Sequence, residues 1–456
     1  PCLIINQTKD LISMRQFSTF RIPAYSLKFI FLFFGLFNIS NVNGQVVNIP
    51  IGTESKGISD EVKIKLVKRL QSLSSVALKS GDIFDNSIHS PKSVQILNSK
   101  NKFYVNSLEG GTTSVYTLDS IQKIKTIRHQ FSNSNHRLFH DSTYFDYKFP
   151  EEMNEPDVFT GKPVEGCFSH NGRYLWITYY RRSWDVNASW PSALCIIDTK
   201  TDEIIRVMPT APLPKMIACA PDNKTIAVTH WGDNTVGLID ISSDQPDSFR
   251  YVANTAIDYR MKLDFSEQGK INRDQNCGNC LRGTVFTPDG KTLLVGKMGG
   301  ASIGVIDINT NKFSGSINGT MTNMRHLLIR DEWLYLSIHK SGYVQRANLN
   351  DLLRHYAAHP AIAYNRWESV FVGSGARTIV ADPSGKYIFV AINQGSKITV
   401  VRTADMKVIA TCDADSYPVG MDISGDGKKL IVTAQGKSGK GGNSLMIFDV
   451  TYNNAK

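Results

Sequence analysis

One motif, a set of short β-strand candidates separated by tight turns, recurs along most of this chain and limits its fold more than any other feature. Its clearest copy, RGTVFTPDGKTLLVGKMGGASIGVIDINTNKFSGSI, runs from Arg282 to Ile317 and holds four short apolar runs with Pro, Gly, Asn and Asp between them. This alternation predicts a four-stranded antiparallel meander. A single meander cannot bury its own faces, so it must pack against copies of itself.

Aligning the chain on the second strand and the turn before it reveals seven copies of the motif. They start at Lys92, Val164, Lys215, Arg282, Arg325, Arg377 and Val419. The shortest interval, from Arg377 to Val419, is 42 residues, and the longer intervals indicate loop insertions. A four-stranded unit at this period is typical of a β-propeller. The sequence therefore predicts an all-β, seven-bladed β-propeller over residues 91–456, with four-stranded antiparallel blades.

Four insertions interrupt the repeats, and loops of this length are often functional. They are Arg128–Thr160, Arg181–Ser192, Asn254–Cys280 and Asn350–Trp367, the last with a short helix expected at Asp351–Ala358.

The first 44 residues have the pattern of a targeting segment. Basic residues after Met14 precede an apolar run at Phe29–Phe37, and small residues lead up to Gln45. This order predicts an upstream extension and a secretory signal peptide cut after Gly44, with an N-terminal anchor helix as the alternative. The apolar run is too short to span a bilayer. We therefore expect an extracytoplasmic protein (periplasmic, cell-surface or secreted) with no integral membrane span after cleavage.

Residues 45–90 are expected to form an N-terminal segment that holds an amphipathic helix and a closing strand. Apolar residues from Val62 onward recur at helical spacing, which predicts a helix over Ser59–Lys79. The last repeat has only three clear strands, so a strand from Gln45–Ile51 or from Val76–Phe84 is expected to complete it and close the ring.

The repeats resemble the YVTN-type β-propeller family, which includes surface-layer and lactonase-like proteins. The matching stretches are Asp222–Ile241, Pro288–Lys312 and Pro383–Thr411, and the resemblance covers roughly Val164–Val450. It implies the seven-bladed fold. Members of the family include extracytoplasmic binding proteins, and similar propellers occur in lactonases and redox enzymes, so the resemblance does not specify an activity.

Most of the aligned repeat starts are cationic, and in a propeller this position lies at the mouth of the central funnel. We expect a ligand-binding set that combines these cations with residues of the neighbouring loops: Lys92, Lys215, Arg282, Arg325, Arg377, Lys297, Arg181, Arg182, His230, Trp184 and Trp190. Converging cations in a concave site favour carboxylate or phosphate ligands. The alternative is one cation copied between blades and paired with neighbouring carboxylates.

The cysteines after residue 44 divide into one close pair and four separate residues. Cys277-Gly-Asn-Cys280 is predicted to form a small disulfide loop, because it lacks the histidine of a haem attachment motif and the second pair of a zinc site. The other four fall in strands and are predicted to be buried thiols; they are Cys167, Cys195, Cys219 and Cys412.

Charge and motif content narrow the functional classes. The chain carries 51 Lys and Arg against 41 Asp and Glu, a net charge of +10, but no block of consecutive basic residues suggests a nucleic-acid arm. The sequence favours a non-catalytic, cofactor-free protein that binds an anionic small molecule, glycan or protein partner. One alternative is a metal-assisted lactonase-like hydrolase or polysaccharide lyase that uses His230, His339 and the arginines around a metal, and His326 could join the two histidines in a metal site at the funnel. Another is an interaction scaffold whose arginines are all paired internally.

Overall fold

The computed structural model describes residues 48–72, 81–139, 149, 153–262, 271–436 and 442–453. The predicted signal peptide lies outside the described residues.

The described chain forms seven β-sheets, the blades of a propeller, in which neighbouring strands are antiparallel except for one pair in blade 7. In chain order the strands are β1 (Lys56–Gly57), β2 (Val62–Gln71), β3 (Asp82–Phe84), β4 (Pro91–Leu97), β5 (Lys102–Ser107), β6 (Thr112–Thr117), β7 (Lys123–Arg128), β8 (Gln130–Phe131), β9 (Phe159–Ser169), β10 (Tyr174–Arg182), β11 (Ser192–Asp198), β12 (Glu203–Thr210), β13 (Pro214–Cys219), β14 (Thr225–His230), β15 (Thr235–Asp240), β16 (Arg250–Ala256), β17 (Leu281–Phe286), β18 (Thr292–Lys297), β19 (Ser302–Asp307), β20 (Lys312–Asn318), β21 (Met324–Arg330), β22 (Trp333–Ile338), β23 (Tyr343–Asn348), β24 (Glu368–Phe371), β25 (Ala376–Ala381), β26 (Tyr387–Ile392), β27 (Lys397–Arg402), β28 (Lys407–Asp413), β29 (Pro418–Ile423), β30 (Lys429–Ala434) and β31 (Ser444–Tyr452). Blades 1 to 6 are built on β4–β7, β9–β12, β13–β16, β17–β20, β21–β24 and β25–β28, and blade 7 on β29, β30, β31 and β2.

The innermost strands of the blades contact one another in sequence around a closed ring. The order is β4, β9, β13, β17, β21, β25, β29 and back to β4. Apolar side chains from adjacent blades meet between the sheets; for example, Val236 and Leu238 of blade 3 pack with Leu293 and Val295 of blade 4. The predicted all-β, seven-bladed architecture is confirmed.

The turns between the first two strands of a blade follow from their sequence. In blade 4, Asp289 accepts hydrogen bonds from the Thr287 hydroxyl (2.6 Å) and the Lys291 backbone N–H (3.1 Å). Gly290 follows at φ +70°, a left-handed conformation that glycine adopts without strain.

The ring is closed by β2, which pairs antiparallel with β31 from Val62–Tyr452 to Gln71–Ser444. The helix predicted over Ser59–Lys79 is therefore wrong for its described part. Val62 and Ile64 point into the core while Lys63 between them is exposed, which is the alternation of a strand.

The closing strand also differs from both candidates proposed for it. Residues 48–51 form no strand. The described end of Val76–Phe84 forms β3, which pairs in parallel with β2 on the outer side of blade 7.

A buried arginine ties this N-terminal part of the chain to blade 7. The Arg69 side chain is 2% exposed and pairs with Asp82 (Nη2–Oδ1, 2.8 Å) and Asp415 (Nη1–Oδ1, 3.0 Å). Arg69 Nη1 also donates to the Ile49 carbonyl oxygen at 2.6 Å. Removal of this guanidinium would leave two buried carboxylates without their cation.

The described residues contain one α-helix and four short 3₁₀ segments. The helix α1 spans Leu349–Ala358, where a short helix was predicted, and the Asn348 side chain caps it by accepting from the Asp351 N–H. The 3₁₀ segments are Asn98–Lys100, Asn133–Leu138, His170–Gly172 and Pro246–Ser248. Within the described ranges, no helix is both long and apolar enough to cross a membrane.

Candidate functional site: a cationic funnel

The cationic repeat starts converge at the centre of the ring. All five of them line one cavity of about 570 Å³, which we call the mouth cavity; they are Lys92, Lys215, Arg282, Arg325 and Arg377. The remaining walls come from the loops on the same face, including Leu108, Tyr180, Trp231 and Gln435. The repeat alignment places one side chain per blade at this point, which is why five separate stretches of sequence meet there.

Below the mouth cavity lies a second space of about 240 Å³, which we call the inner chamber. Arg282, Arg325 and Arg377 line both cavities and form a collar between them. Polar groups of blades 1, 2 and 7, including Gln95, Glu165 and Asp422, line the chamber. The funnel therefore has two levels with cations at the boundary.

Only two of the five cations have a carboxylate partner among the described residues. Lys215 Nζ is 2.8 Å from Asp274 Oδ1, and Arg282 Nη2 is 3.6 Å from Glu165 Oε1. Lys92, Arg325 and Arg377 belong to no ion pair in the part of the chain that the structure describes. The Nε atom of Arg325 and the Nη2 atom of Arg377 are buried without a hydrogen-bond partner there. Pairing with carboxylates thus accounts for the cations of blades 3 and 4. It does not account for those of blades 5, 6 and 1, which are Arg325, Arg377 and Lys92.

Because these cations are buried close to one another, their pKa values are lowered. Burial, opposed by Asp274 and assisted by the repulsion of Arg282, lowers the pKa of Lys215 to about 7. Burial, followed by the repulsion of Arg282, lowers the pKa of Arg377 to about 10. The pKa of Lys92 is well below its ordinary value, with burial as the largest cause and Arg377 as the next. An anion in the funnel would offset these costs.

Two aromatic rings enclose Lys215, and sequence reasoning did not place them there. Its Nζ atom lies 4.2 Å from the ring centroid of Tyr180 and 4.9 Å from that of Trp231. The indole N–H of Trp231 donates to the backbone carbonyl of Asp274 at 3.3 Å. Asp274 belongs to the Asn254–Cys280 insertion, so that loop supplies both the partner and part of the support for Lys215.

Arg181 is the only one of the predicted loop cations that lines the mouth cavity, and its Nη1 donates to the Asp185 carbonyl oxygen at 2.8 Å. Arg182 is buried, pairs with Asp157 at 2.9 Å and lies over the rings of Phe149 and Phe159. Arg182 was predicted as a ligand contact, but it is absent from the lining of both cavities and contacts the insertion that follows blade 1.

Lys297 and His230 also lie away from the funnel lining. Lys297 Nζ is 2.8 Å from both Asp258 Oδ2 and Ser316 Oγ. His230 is fully buried, with Nδ1 2.9 Å from the Thr235 hydroxyl. Lys297 therefore connects blade 4 to the Asn254–Cys280 insertion, and His230 bonds within blade 3; neither side chain lines the two cavities.

The two tryptophans of the blade 2 insertion do not face the funnel either. Trp184 and Trp190 pack edge to face with centroids 6.2 Å apart, and Phe149 contacts both at 6.1 and 6.2 Å. Neither lines the mouth cavity, because this aromatic cluster holds the insertions of blades 1 and 2 together.

The histidines proposed for a metal-assisted enzyme do not assemble. His326 lines the inner chamber, and its Nδ1 accepts from the Ile379 N–H at 3.1 Å. His230 is buried within blade 3. Across the described ranges, no three His, Cys, Asp or Glu residues form a group that could hold a metal ion.

Cys277 and Cys280 form a disulfide, and the other four cysteines after residue 44 are free thiols. Cys277 packs with Ala188, Leu213 and Trp231 beneath the rim of the mouth cavity. The disulfide thus restrains the loop that carries Asp274 toward Arg282.

No family model and no curated protein matches this chain, whereas many solved structures do. A chain of hydrazine synthase from Kuenenia stuttgartiensis has 12% identity and a TM-score of 0.53, and the match covers 84% of this chain and 99% of that one. The β-propeller domain of Cps50 (Swd1) from Myceliophteria thermophila has 10% identity and a TM-score of 0.53, with coverage of 80% and 98%. At these identities the likeness establishes the fold alone: the chain is a seven-bladed β-propeller.

Proposed function

We propose that this protein is an extracytoplasmic β-propeller that binds an anionic ligand in its funnel and does not catalyse a reaction. The ligand carries a carboxylate or phosphate, as a small molecule or as the acidic group of a glycan or protein partner. The observation that carries the proposal is the pair Arg325 and Arg377, two collar cations on adjacent blades without an ionic partner among the described residues.

The physical argument is one of charge balance in a partly dehydrated space. The two cavities are lined by six cations, the five repeat starts and Arg181, against four carboxylates. The carboxylates are Glu109, Glu165, Asp274 and Asp422, and Glu109 already pairs with Lys162 outside the lining. Burying a charge without a partner is costly, so an excess of buried cations needs a compensating anion. Guanidinium groups suit this role because their planar N–H donors match the oxygens of carboxylates and phosphates.

Two further features support an extracytoplasmic location. The sequence pattern of residues 1–44 is that of a secretory signal. The Cys277–Cys280 disulfide is the kind of bond that persists in an oxidising compartment. The resemblance to YVTN-type repeats, which we propose reflects membership of that family, is in keeping with both.

Calorimetric titration with inorganic phosphate, citrate and D-glucuronate tests the proposal. We expect at least one of these anions to bind, and Arg325→Met and Arg377→Met each to lower its affinity by about tenfold to a hundredfold, the worth of a charge-assisted hydrogen bond. The control is Arg250→Met, which removes an arginine that is 58% exposed and pairs with Asp240 at the outer edge of blade 3. Equal affinity in the wild type and the Arg325→Met/Arg377→Met double variant would refute the funnel as the site.

A further inference from the structure

The inner chamber differs in chemistry from the collar above it. Its volume of about 240 Å³ equals that of roughly eight water molecules at ~30 Å³ each. It contains no lysine, and below the collar arginines its polar lining is made of carboxylates, an amide, hydroxyls and one histidine. A ligand group that enters the chamber therefore meets hydrogen-bonding groups rather than an excess of positive charge.

The clearest unused group in the chamber is the side chain of Gln95. Gln95 is 9% exposed, and its Oε1 atom is buried without a hydrogen-bond partner among the described residues. A buried amide oxygen without a donor is costly, and few such groups persist in proteins unless something else satisfies them. This acceptor is thus available to a donor group of a ligand.

The threonine hydroxyls of the chamber also have accepting capacity left. Thr284 donates its hydroxyl proton to the Arg282 carbonyl oxygen at 2.9 Å, and Thr378 donates to the Val419 carbonyl oxygen at 2.6 Å. Since each hydroxyl has one proton and two lone pairs, both oxygens can still accept.

Two carboxylates complete the set of acceptors and exclude a second anion. The oxygens of Asp422 each accept one backbone N–H, from Ile96 at 2.7 Å and from Ile423 at 2.9 Å, which leaves further lone pairs. Burial raises the pKa of Asp422 to about 6, so the group is mainly ionised at pH 7. Together with Glu165, it repels negative charge from the chamber and confines the acid group of a ligand to the collar.

Donors are present in the chamber as well. The Nδ1 atom of His326 accepts from the Ile379 N–H, so a neutral imidazole carries its proton on Nε2. Burial keeps the imidazole neutral by lowering its pKa to about 4. The amide nitrogen of Gln95 is a second donor. A lining of acceptors with a few donors suits the hydroxyl group, which both donates and accepts.

We infer that the ligand is a hydroxylated organic acid, such as a sugar acid or a polyol phosphate. Its acid group lies at the collar, and its hydroxyl groups enter the inner chamber, with Gln95 as a specificity-determining residue. This inference rests on the proposed function and adds the part of the ligand that the anion site does not specify. An acid with an alkyl chain would fill the chamber without forming hydrogen bonds. The polar groups of the chamber lining would then be dehydrated and unpaired.

Matched acids test this inference by calorimetric titration of the intact chain. D-Gluconate and hexanoate are both six-carbon monocarboxylates and differ only in their hydroxyl groups. Glycerol 3-phosphate and propyl phosphate form the corresponding pair for a phosphate. We expect the hydroxylated member of at least one pair to bind tenfold tighter or more, and the pair that binds identifies the acid group.

The variant Gln95→Met keeps the length of the side chain and removes the amide. We expect it to reduce the preference for the hydroxylated acid by about threefold to tenfold, the worth of one hydrogen bond, and to leave hexanoate binding unchanged. Gln122→Met, the same change at an exposed position outside the funnel, is the matched control and should leave the preference intact.

Each outcome of these titrations decides between the two proposals. Equal binding of hydroxylated and alkyl acids, both weakened by Arg377→Met, would overturn this inference and retain the anion site. A preference for gluconate that Gln95→Met leaves unchanged would overturn the assignment of the hydroxyls to the chamber. Failure of every acid to bind would overturn the proposed function and this inference with it.

Discussion

Binding of an anion at the funnel should depend on pH through Lys215. Transfer of an ammonium group out of water disfavours its charged form, and burial lowers the pKa of Lys215 to about 7. The ionised fraction in the ligand-free protein therefore falls from about 0.9 at pH 6 to about 0.1 at pH 8. If the bound anion requires the charged form, its affinity falls about tenfold over this range, or about 1.4 kcal/mol.

The sign of the effect follows from proton linkage. The complex holds the proton on Lys215 more tightly than the free protein does, so binding takes up protons near pH 7 and weakens as pH rises. Asp274, the partner of Lys215 at 2.8 Å, has a lowered pKa and stays ionised across this range. Burial, followed by the repulsion of Arg377, also lowers the pKa of Lys92.

The assay is calorimetric titration with D-gluconate at pH 6, 7 and 8, since its carboxylate stays ionised throughout. Titration at pH 7 in two buffers of different ionisation enthalpy should show the uptake of about half a proton at Lys215. Lys215→Arg keeps the charge at every pH and should flatten the profile. Lys215→Met should bind at pH 6 about as weakly as the wild type does at pH 8. A tenfold pH dependence that persists in Lys215→Met would refute this reasoning.

Three further predictions concern stability and the rim of the funnel. The lowering of the Arg377 pKa to about 10 corresponds to an electrostatic cost of about 3 kcal/mol in the folded protein. Arg377→Met should therefore raise the free energy of unfolding of the ligand-free protein, measured in urea, by about 1 to 3 kcal/mol. A decrease would contradict the repulsion assigned to the collar. Arg69→Met should lower the free energy of unfolding by about 3 to 5 kcal/mol, because the buried carboxylates of Asp82 and Asp415 lose their partner. The control Lys65→Met removes an exposed ion pair and should leave the urea midpoint unchanged. Equal effects of the two substitutions would argue against the buried network. Cys277→Ala/Cys280→Ala should weaken gluconate binding severalfold, because the disulfide restrains the loop at the rim of the mouth cavity. It should lower the free energy of unfolding by at most about 2 kcal/mol, since the disulfide closes a very short loop. Unchanged affinity would show that the disulfide does not position the rim.

The fold was predictable because its strands and turns are encoded locally. The turn at Asp289 and Gly290 is specified by neighbours two residues away, and the same pattern recurs in other blades. The segment Val62–Gln71 is ambiguous in sequence. Val62, Leu66 and Leu70 recur every four residues, a spacing that fits one face of a strand as well as a helix, and a register shift between Leu66 and Lys68 interrupts the strict alternation that would identify the strand. Its pairing with the other end of the chain carries no local signal.

The site was predictable only where the repeats specify it. A cation at the same repeat position in five blades must converge at the centre, and it does. Arg182 and Lys297 are the last residues of β10 and β18, and Trp184 lies in an insertion. The repeat pattern does not specify whether side chains at these positions line the funnel or pack internally. The partners Glu165 and Asp274 also escaped prediction, since each comes from a different blade or insertion than the cation it meets.

The closure of the ring by β2 sets an order on events during synthesis. Val62 pairs with Tyr452, so the two residues are separated by 390 positions of the chain. At roughly 5 to 20 residues per second, the ribosome needs about 20 to 80 seconds to make that stretch. For that time the edge of β2 that pairs with β31 is open, and a nascent chain must protect it from pairing elsewhere. Blades 4, 5 and 6, which carry the collar arginines, are synthesised before β31, so the chain already holds all three collar cations when β2 closes the ring.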